Sequence, residues 1–267
     1  MKRIWALVPV KTFHSAKSRL ASMMSVKDRH TLALAMTWDV ATALKHSQKI
    51  ARVVTVSDIS ALNDLIGLEG IDHFHTRRAQ GLNQDLTVAA RWAQSQGATH
   101  VLVVHADLPQ LTPQAVNGFL AGTRDMPASQ IRIAACKQGT GTNLLLAPVP
   151  LPLSLVFGKS SLARFRRIAT AADISVDVVH DASLANDIDN PEDFRALMSA
   201  HARGAQVGRA TADFLFATMA RDKQAAPFVM EQGSAGSIFW AEQPDEARKE
   251  RSYSQYDDPV RQEWNND

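Results

Sequence analysis

Residues 100–109 read HVLVVHADLP. An apolar run between two histidines, followed at once by Asp107 and a proline, is typical of a buried strand that ends in a loop. A second continuous apolar run occupies residues 4–10 near the N-terminus. Strands of this kind are covered by helices on both faces of a sheet. The two runs therefore predict the centre of a mostly parallel sheet.

Strands and helices alternate along the rest of the chain. Apolar runs predict further strands at residues 51–57, 71–75, 130–135, 143–147 and 174–179. Capping residues and apolar periodicity predict helices that begin after Ser25, near residue 61, after Gly81, at Pro113, near Ser160 and at Pro191. This alternation predicts an α/β fold, a Rossmann-like three-layer sandwich with a mostly parallel sheet.

The composition changes near residue 200, so we predict a main domain over residues 1–200 and a C-terminal extension over residues 201–267. Residues 207–219 predict one amphipathic helix, and a polar, acidic tail with Phe239 and Trp240 follows. A helix of this length is marginal in water unless it packs on something. We expect the extension to be dispensable for chemistry and to contribute to a homodimer or to solubility.

The bulk composition excludes several classes of partner. The chain has 267 residues, 45% hydrophobic and 21% charged, with a formal net charge of +2. This balance gives no reason to expect nucleic acid or an acidic membrane surface as a partner. No apolar stretch approaches the length of a membrane span. The single cysteine, Cys136, fits a reducing cytoplasm.

Two clusters of polar residues follow predicted strands and could bind a nucleotide. Lys11, Lys17 and Arg19 follow the first strand, and cations in a loop that leads into a helix can hold a triphosphate. Gly81 and Asn83 open a helix, where glycine permits close approach and an amide can read a base edge. A solvated basic loop and an ordinary helix turn remain the alternative interpretations.

Carboxylates form a third group of candidates. Asp107 directly follows a buried strand, which would hold its carboxylate rigidly for Mg²⁺. Asp187 and Asp189 lie two residues apart, so in extended backbone they point the same way and could complete the metal site. The alternative is that Asp189 and Asn190 only cap the next helix.

Two glycine-containing turns, residues 140–143 and 157–161, complete the set of candidates. Hydroxyl groups and a helix N-terminus at Ser160 and Ser161 could bind a carboxylate or a phosphate. In open parallel sheets, ligands bind outside the carboxyl ends of the strands. All of these clusters are therefore expected at one site.

The clusters together resemble a known family. In order, they read VPVKTFHSAKSRLA, GLNQDL, VVHADLPQLT, GTGTNLLLAP, FGKSSLARF and NDIDNPEDF. This series is similar to the guanylyltransferases of coenzyme F-420 biosynthesis, which activate 2-phospho-L-lactate, phosphoenolpyruvate or 3-phospho-D-glycerate. They belong to the nucleotide-diphospho-sugar transferase-like superfamily. The similarity covers about residues 1–197, which implies a nucleotidyltransferase domain over residues 1–200.

The resemblance implies a role for each candidate residue. The partners would be GTP and a small phosphorylated carboxylate, with Mg²⁺ as cofactor. The implied phosphate contacts are Lys11, Lys17 and Arg19; the implied nucleoside contacts are Gly81 and Asn83. The implied metal ligands are Asp107 and either Asp187 or Asp189, and the implied acceptor contacts are Thr142, Ser160 and Ser161. Lys17, Arg19 and Asp107 are the residues expected to carry catalysis.

The chain departs from the family pattern in two places. Cys136-Lys137 replaces a usual Pro-Asp pair, and Lys159 replaces a usual small residue. Both departures lie near the expected acceptor pocket, so the identity of the acceptor stays open. The remaining alternatives are a molybdenum-cofactor or sugar-phosphate nucleotidyltransferase, a glycosyltransferase that uses Asp187-Ile188-Asp189, and a non-catalytic nucleotide-binding homologue. The lack of glycine between Pro9 and Arg19 argues against the molybdenum-cofactor type.

Overall fold

The computed structural model describes residues 2–10, 17–59, 62, 70–76 and 80–225. Its strands are β1 (Ile4–Pro9), β2 (Ile50–Ser57), β3 (Asp72–His75), β4 (His100–Val104), β5 (Gln130–Ala135), β6 (Thr142–Pro148) and β7 (Ser175–Val179). Its helices are α1 (Val26–Lys45), α2 (Leu82–Ser95), α3 (Pro113–Phe119), α4 (Ser161–Ala171), α5 (Ala182–Ala185), α6 (Pro191–Ala202) and α7 (Arg209–Ala225). No described helix combines the length and the hydropathy that a membrane crossing requires.

The strands form one sheet in the order β3-β2-β1-β4-β6-β5-β7. β6 runs antiparallel to both of its neighbours, and every other pairing is parallel. β1 and β4 pair side by side, from Ile4 opposite His100 to Leu7 opposite Val103. The prediction of a mostly parallel α/β sheet with these two strands at its centre is confirmed.

The central strands bury alternate side chains on opposite faces of the sheet. Ala6 and Leu102 face a core built with α1 and α3, whereas Leu7 and Val103 face a core built with α2 and α4. Because both faces are covered by helices, both sets of side chains must be apolar. This explains why β1 and β4 are continuous apolar runs and not alternating ones.

Helix starts follow the predicted capping signals. Ser25 Oγ accepts a hydrogen bond from Asp28 N at 3.1 Å at the start of α1. Thr112 caps α3 in the same way, and Asn190 and Asp193 form a reciprocal capping box at α6. These contacts satisfy amide groups that lack a partner inside the helix. Of the helix predicted near residue 61, only Leu62 lies among the described residues.

The predicted domain boundary near residue 200 is too early. The helix predicted at residues 207–219 is present as α7, but it packs on the main body. Phe214 and Leu215 are buried in the same core as Leu32 of α1 and Phe194 of α6. An apolar face of this kind has to be covered, and α1 and α6 cover it. The main body therefore includes α7, while Phe239 and Trp240 lie outside the described residues.

A carboxylate on α1 holds the start of α7. Asp39 is buried, and its two side-chain oxygens accept hydrogen bonds from Ala210 N at 3.0 Å and Thr211 N at 2.8 Å. Burial raises the pKa of this carboxyl, and the hydrogen bonds from the helix offset only part of the increase. Gly208 passes so close that a Cβ there would lie 2.2 Å from Asp39 Cγ. Only glycine fits at this crossing.

We predict that Gly208→Ala lowers the free energy of unfolding by about 1–3 kcal/mol, the usual cost of forcing an extra methyl group into a packed contact. Chemical denaturation measures the change. Gly118→Ala is the matched control, because a Cβ there meets no atom of the described residues within 4 Å. Alanine inside α3 is expected to be neutral or stabilising. Equal stability of the two variants would contradict the proposed docking of α7.

Candidate functional site

A cleft of about 330 Å³ opens at the carboxyl ends of β1 and β4. Its lining includes Lys17, Arg19, His105, Asp107 and Asp189. The two central strands deliver their following loops to this edge, as parallel strands do in open sheets. The structure thus brings the predicted basic loop and two of the predicted carboxylates into one cavity.

Lys17 is the centre of this site. Its Nζ lies 2.7 Å from Asp107 Oδ2 and 3.3 Å from Asp189 Oδ1, and only 11% of its side chain is exposed. Burial alone would lower the pKa of Lys17, but the two carboxylates outweigh burial and raise it. The ammonium group is therefore a permanent cation between two acids. The backbone of Lys17 is left-handed, with φ 51°, which is uncommon for a residue with a side chain.

Asp107 has one oxygen in contact with Lys17 and a second that accepts no side-chain or backbone hydrogen bond from the described residues. Burial tends to raise the pKa of Asp107, but the neighbouring Lys17 lowers it below its usual value. The second oxygen, Oδ1, is buried and has no hydrogen-bond partner among the described residues. A buried carboxylate oxygen without a donor is costly, so this atom is open to a cation.

The segment with Asp187 and Asp189 is tied to Asp107 through the backbone. Ile188 N donates a hydrogen bond to Asp107 O at 3.1 Å. Burial and then the charge of Asp107 raise the pKa of Asp187 to about 6. Two carboxyl groups that share a site repel each other when both are ionised. Asp187 and Asp107 therefore belong to one electrostatic neighbourhood, joined by the backbone bond from Ile188.

Arg19 lies at the rim of the cleft. Its Nη1 is 3.7 Å from Asp189 Oδ2, and 74% of its side chain is exposed. A surface ion pair of this length contributes little to stability, so the guanidinium group can turn towards a ligand. Lys11, the third cation predicted for the triphosphate, lies outside the described residues.

The two residues predicted to contact the nucleoside, Gly81 and Asn83, have different surroundings. Gly81 precedes α2 with φ 102°, and a Cβ there would meet no atom of the described residues within 4 Å. The amide of Asn83 is engaged elsewhere in the chain: Nδ2 donates to Phe157 O at 3.2 Å, and Oδ1 accepts from Phe157 N at 2.7 Å. Gly81 therefore has no close neighbour in the described part of the chain, while Asn83 is bonded to the loop before α4.

The predicted acceptor residues meet where β6 begins and α4 begins. Ser161 Oγ donates to Thr142 Oγ1 at 3.0 Å, and both residues are almost fully buried. Ser160 is exposed and has a left-handed backbone, with φ 54°. The structure brings the three residues together, but the hydroxyl groups of Thr142 and Ser161 bond each other here. Their contact with an acceptor stays a prediction.

A comparison with protein families identifies the chain. The model of the family described as guanylyl transferase CofC like matches residues 4–215. The chain belongs to this family. As a CofC-like guanylyl transferase it is a nucleotidyltransferase, and the match extends into α7, beyond the predicted boundary at residue 200.

Individual relatives of this CofC-like chain also carry guanylyltransferase names. It is 33% identical over 210 residues to the phosphoenolpyruvate guanylyltransferase of Conexibacter woesei, which covers 75% of this chain and 93% of that protein. It is 32% identical over 213 residues to the 3-phospho-D-glycerate guanylyltransferase of Phenylobacterium zucineum, with 79% and 94% covered. A solved structure from Desulfovibrio desulfuricans G20, assigned as a nucleotide-diphospho-sugar transferase, superposes with a TM-score of 0.64 at 16% identity. It covers 84% of this chain and 98% of its own, and it supports the fold.

The carboxylates of this guanylyl transferase can supply part of the ligands of a magnesium ion, and substrate phosphates would supply the rest. The described residues contain no group of three or more His, Cys, Asp or Glu side chains placed to hold a metal. Magnesium is usually bound by one or two carboxylates together with substrate phosphates. Asp107 Oδ1, which accepts no hydrogen bond from the described residues, and Asp189, which lines the same cleft, are suitable oxygen ligands of this kind. The residues therefore suit a metal that arrives with a nucleotide.

Two residues of the site were not singled out from the sequence. Asn143 Nδ2 donates to Asp187 Oδ1 at 3.3 Å and to Leu184 O at 3.0 Å, which orients the carboxylate. The ring of Phe157 lies 5.3 Å from that of His105, two residues before Asp107. Both residues fall within the candidate turns 140–143 and 157–161, where the sequence predicts a role only for Thr142, Ser160 and Ser161.

We predict that, in the absence of nucleotide, MgCl₂ raises the unfolding temperature of Lys17→Met more than it raises that of the wild type. Removing the ammonium leaves Asp107 without its cation and Asp189 with only the 3.7 Å contact to Arg19. The loss of one partner of a buried pair costs about 3–5 kcal/mol. A divalent cation should recover part of this loss. Thermal unfolding across a MgCl₂ titration measures the effect.

Lys27→Met is the control for this experiment, because Lys27 is an exposed residue of α1. The wild type and the control should shift little with MgCl₂, whereas Lys17→Met should start lower and gain more. An equal shift of the unfolding temperature with MgCl₂ in all three proteins would show that the Lys17 ammonium does not occupy a place where a divalent cation can bind.

Proposed function

We propose that this protein transfers the guanylyl group of GTP to a small phosphorylated carboxylic acid and releases pyrophosphate, as a step of coenzyme F-420 biosynthesis. The candidate acceptors are phosphoenolpyruvate, 3-phospho-D-glycerate and 2-phospho-L-lactate. The observation that carries this proposal is the cleft in which Lys17 meets Asp107 and Asp189 at the carboxyl edge of the sheet. Membership of the guanylyl transferase family and the names of the relatives support it.

The nucleotide would lie along the basic side of the cleft. Lys17 and Arg19, with Lys11 as predicted from the sequence, supply the cations that a triphosphate requires. Lys17 is already buried among acids, so it would reach the phosphates by giving up part of its contact with Asp107 or Asp189. Gly81 leaves space for a nucleoside at the start of α2.

The chemistry needs no nucleophile from the protein. The second pKa of a phosphate monoester is near 6, so the acceptor is largely a dianion at neutral pH. One of its oxygens forms a bond to the α-phosphorus of GTP, and the bond from that phosphorus to the bridging oxygen of the β-phosphate breaks. Pyrophosphate leaves with the electron pair. The protein's task is to align the two anions and to offset their repulsion.

Magnesium is part of the proposal. Asp107 and one of Asp187 and Asp189 would hold it, and Asn143 would keep Asp187 in place. When bound, Mg²⁺ would neutralise charge on the α-phosphate and on the leaving pyrophosphate. Lys17 and Arg19 supply the remaining positive charge from the protein side.

The cellular location, the oligomeric state and the partners of the enzyme are also part of the proposal. A single cysteine, the absence of a membrane-crossing helix among the described residues and the small-molecule substrates support a cytoplasmic location. The homodimer predicted from the sequence stays a prediction. Nucleic acid is not expected as a partner, because the net charge is only +2.

A pyrophosphate-release assay tests the function. Four nucleoside triphosphates are each combined with the three candidate acids and Mg²⁺, and the next enzyme of the pathway consumes the product. We expect activity with GTP and at least one acid, with kcat/KM for ATP at least tenfold lower. Equal kcat/KM for GTP and ATP would overturn the guanine assignment, and no activity with any acid would overturn the acceptor class.

We predict that Asp107→Asn lowers kcat at least 100-fold while the protein stays folded. Loss of a metal-ligand charge removes several kcal/mol of transition-state stabilisation. Steady-state kinetics at saturating Mg²⁺ measure kcat, and circular dichroism checks folding. Asp173→Asn is the control, because Asp173 is exposed, and asparagine tolerates its left-handed backbone. A loss of less than tenfold would remove Asp107 from the metal site.

A further inference from the structure

The loop that precedes α4 is held by a side chain from a distant helix. Asn83, in the first turn of α2, makes two hydrogen bonds to one residue: its Nδ2 donates to Phe157 O, and its Oδ1 accepts from Phe157 N. Asparagine carries a donor group, NH₂, and an acceptor group, the carbonyl oxygen, on the same short amide, so it can pair with both backbone groups of a single residue. Neither aspartate nor leucine can do so.

The residue held in this way is itself an anchor. Phe157 is 3% exposed, and its ring centroid lies 5.3 Å from His105 and 5.2 Å from Phe165 of α4. His105 follows β4 and lies two residues before Asp107. The contact therefore sets the position of the loop relative to the strand end that carries the proposed metal ligand.

The loop after Phe157 has an unusual backbone. Gly158 has φ 121° and Ser160 has φ 54°. A left-handed serine costs free energy and persists only where the surroundings impose it. Two backbone hydrogen bonds help: Ser161 N donates to Gly158 O at 3.1 Å within the loop, and Leu162 N donates to Thr140 O of the turn before β6 at 3.2 Å. The pair of bonds from Asn83 fixes the other end of this segment.

We propose that Asn83 is a positioning residue for acceptor binding, acting through Phe157 on the segment 157–161. The inference rests on the proposed function, in which Ser160 and Ser161 lie at the acceptor side. Displacement of reacting groups by about 1 Å can cost 10²-fold in rate. The residue predicted from the sequence to contact the nucleoside thus acts on the second substrate.

The alternative role makes a different prediction. An amide has two donor hydrogens and two acceptor lone pairs, so Asn83 keeps capacity to contact a base even while bonded to Phe157. If it read guanine, its loss would reduce the preference for GTP over ATP. If it positions the loop, its loss would act on the acceptor and leave the nucleotide preference intact.

The experiment compares Asn83→Ala and Asn83→Asp with the control Asn117→Ala. Asn117 is also a half-buried asparagine on a helix, and its Oδ1 accepts from Ser47 Oγ at 2.8 Å, in α3 and outside the cleft lining. Asn83→Asp keeps the size of the side chain but places a carboxylate oxygen against Phe157 O. It serves as the second variant in case the alanine variant fails to fold.

Two readouts are measured on the full chain. Steady-state kinetics give KM for the acceptor, KM for GTP and the GTP/ATP ratio of kcat/KM. Hydrogen–deuterium exchange of the protein without ligands reports the peptide that contains residues 157–161. For both Asn83 variants we expect at least a tenfold rise in acceptor KM, a GTP/ATP ratio within twofold of wild type, and faster exchange confined to that peptide. Asn117→Ala should match the wild type in each.

The outcomes separate the two hypotheses. A collapsed GTP/ATP ratio with unchanged acceptor KM would overturn the proposal in favour of base reading. Unchanged exchange at residues 157–161 would overturn it as well, because the bonds to Phe157 would then hold nothing in place. If the wild type is inactive with every acid, the proposed function fails, and the exchange comparison still decides whether Asn83 positions the loop.

Discussion

The buried ammonium group of Lys17 holds together acidic groups that would otherwise repel one another. Asp107 follows β4 and Asp189 precedes α6, and Lys17 Nζ lies within 3.3 Å of an oxygen of each. The backbone bond from Ile188 N to Asp107 O closes the same junction. Without a cation there, the charges would have to be neutralised by protonation or by a metal. The architecture of the cleft thus depends on one lysine.

A lysine suits this position better than an arginine would. Its ammonium is a compact point charge on a flexible stem, able to exchange one oxygen partner for another, whereas a guanidinium binds carboxylates in a fixed planar geometry. The left-handed backbone at Lys17 is the local cost of this placement. In the proposed function Lys17 contacts carboxylates without nucleotide and phosphates with it, so its side-chain tip must be mobile. It must also stay charged, and the raised pKa of Lys17 meets that condition.

The sequence predicted the fold and the location of the site because both depend on strand periodicity and on the polar residues that come directly after each strand. Asp107, Lys17 and Asp189 meet as expected from strand ends at one edge of a parallel sheet. The sequence could not predict contacts that depend on packing between distant segments of the chain. Asn83 is predicted from the sequence to contact the nucleoside, and nothing near it in the sequence indicates its bonds to Phe157. The close contact between Asp39 and Gly208 likewise depends on the packing of α7 against α1, which the sequence does not indicate. The predicted domain boundary near residue 200 is therefore too early.

The two departures from the family pattern differ in what they can affect. Cys136 is buried, and its Sγ accepts from Gly141 N at 3.0 Å, so it shapes the turn before β6. Lys159 is exposed beside Ser160 and can only add charge. All three candidate acceptors carry one carboxylate and one phosphate, so added charge does not distinguish them. They differ in the spacing and planarity of the atoms between those groups, and only 3-phospho-D-glycerate carries a free hydroxyl group. Selection among them must therefore come from the shape of the loops and from the hydrogen-bonding groups that face this hydroxyl position. In the proposed arrangement Cys136 and Asn83 help to set that shape.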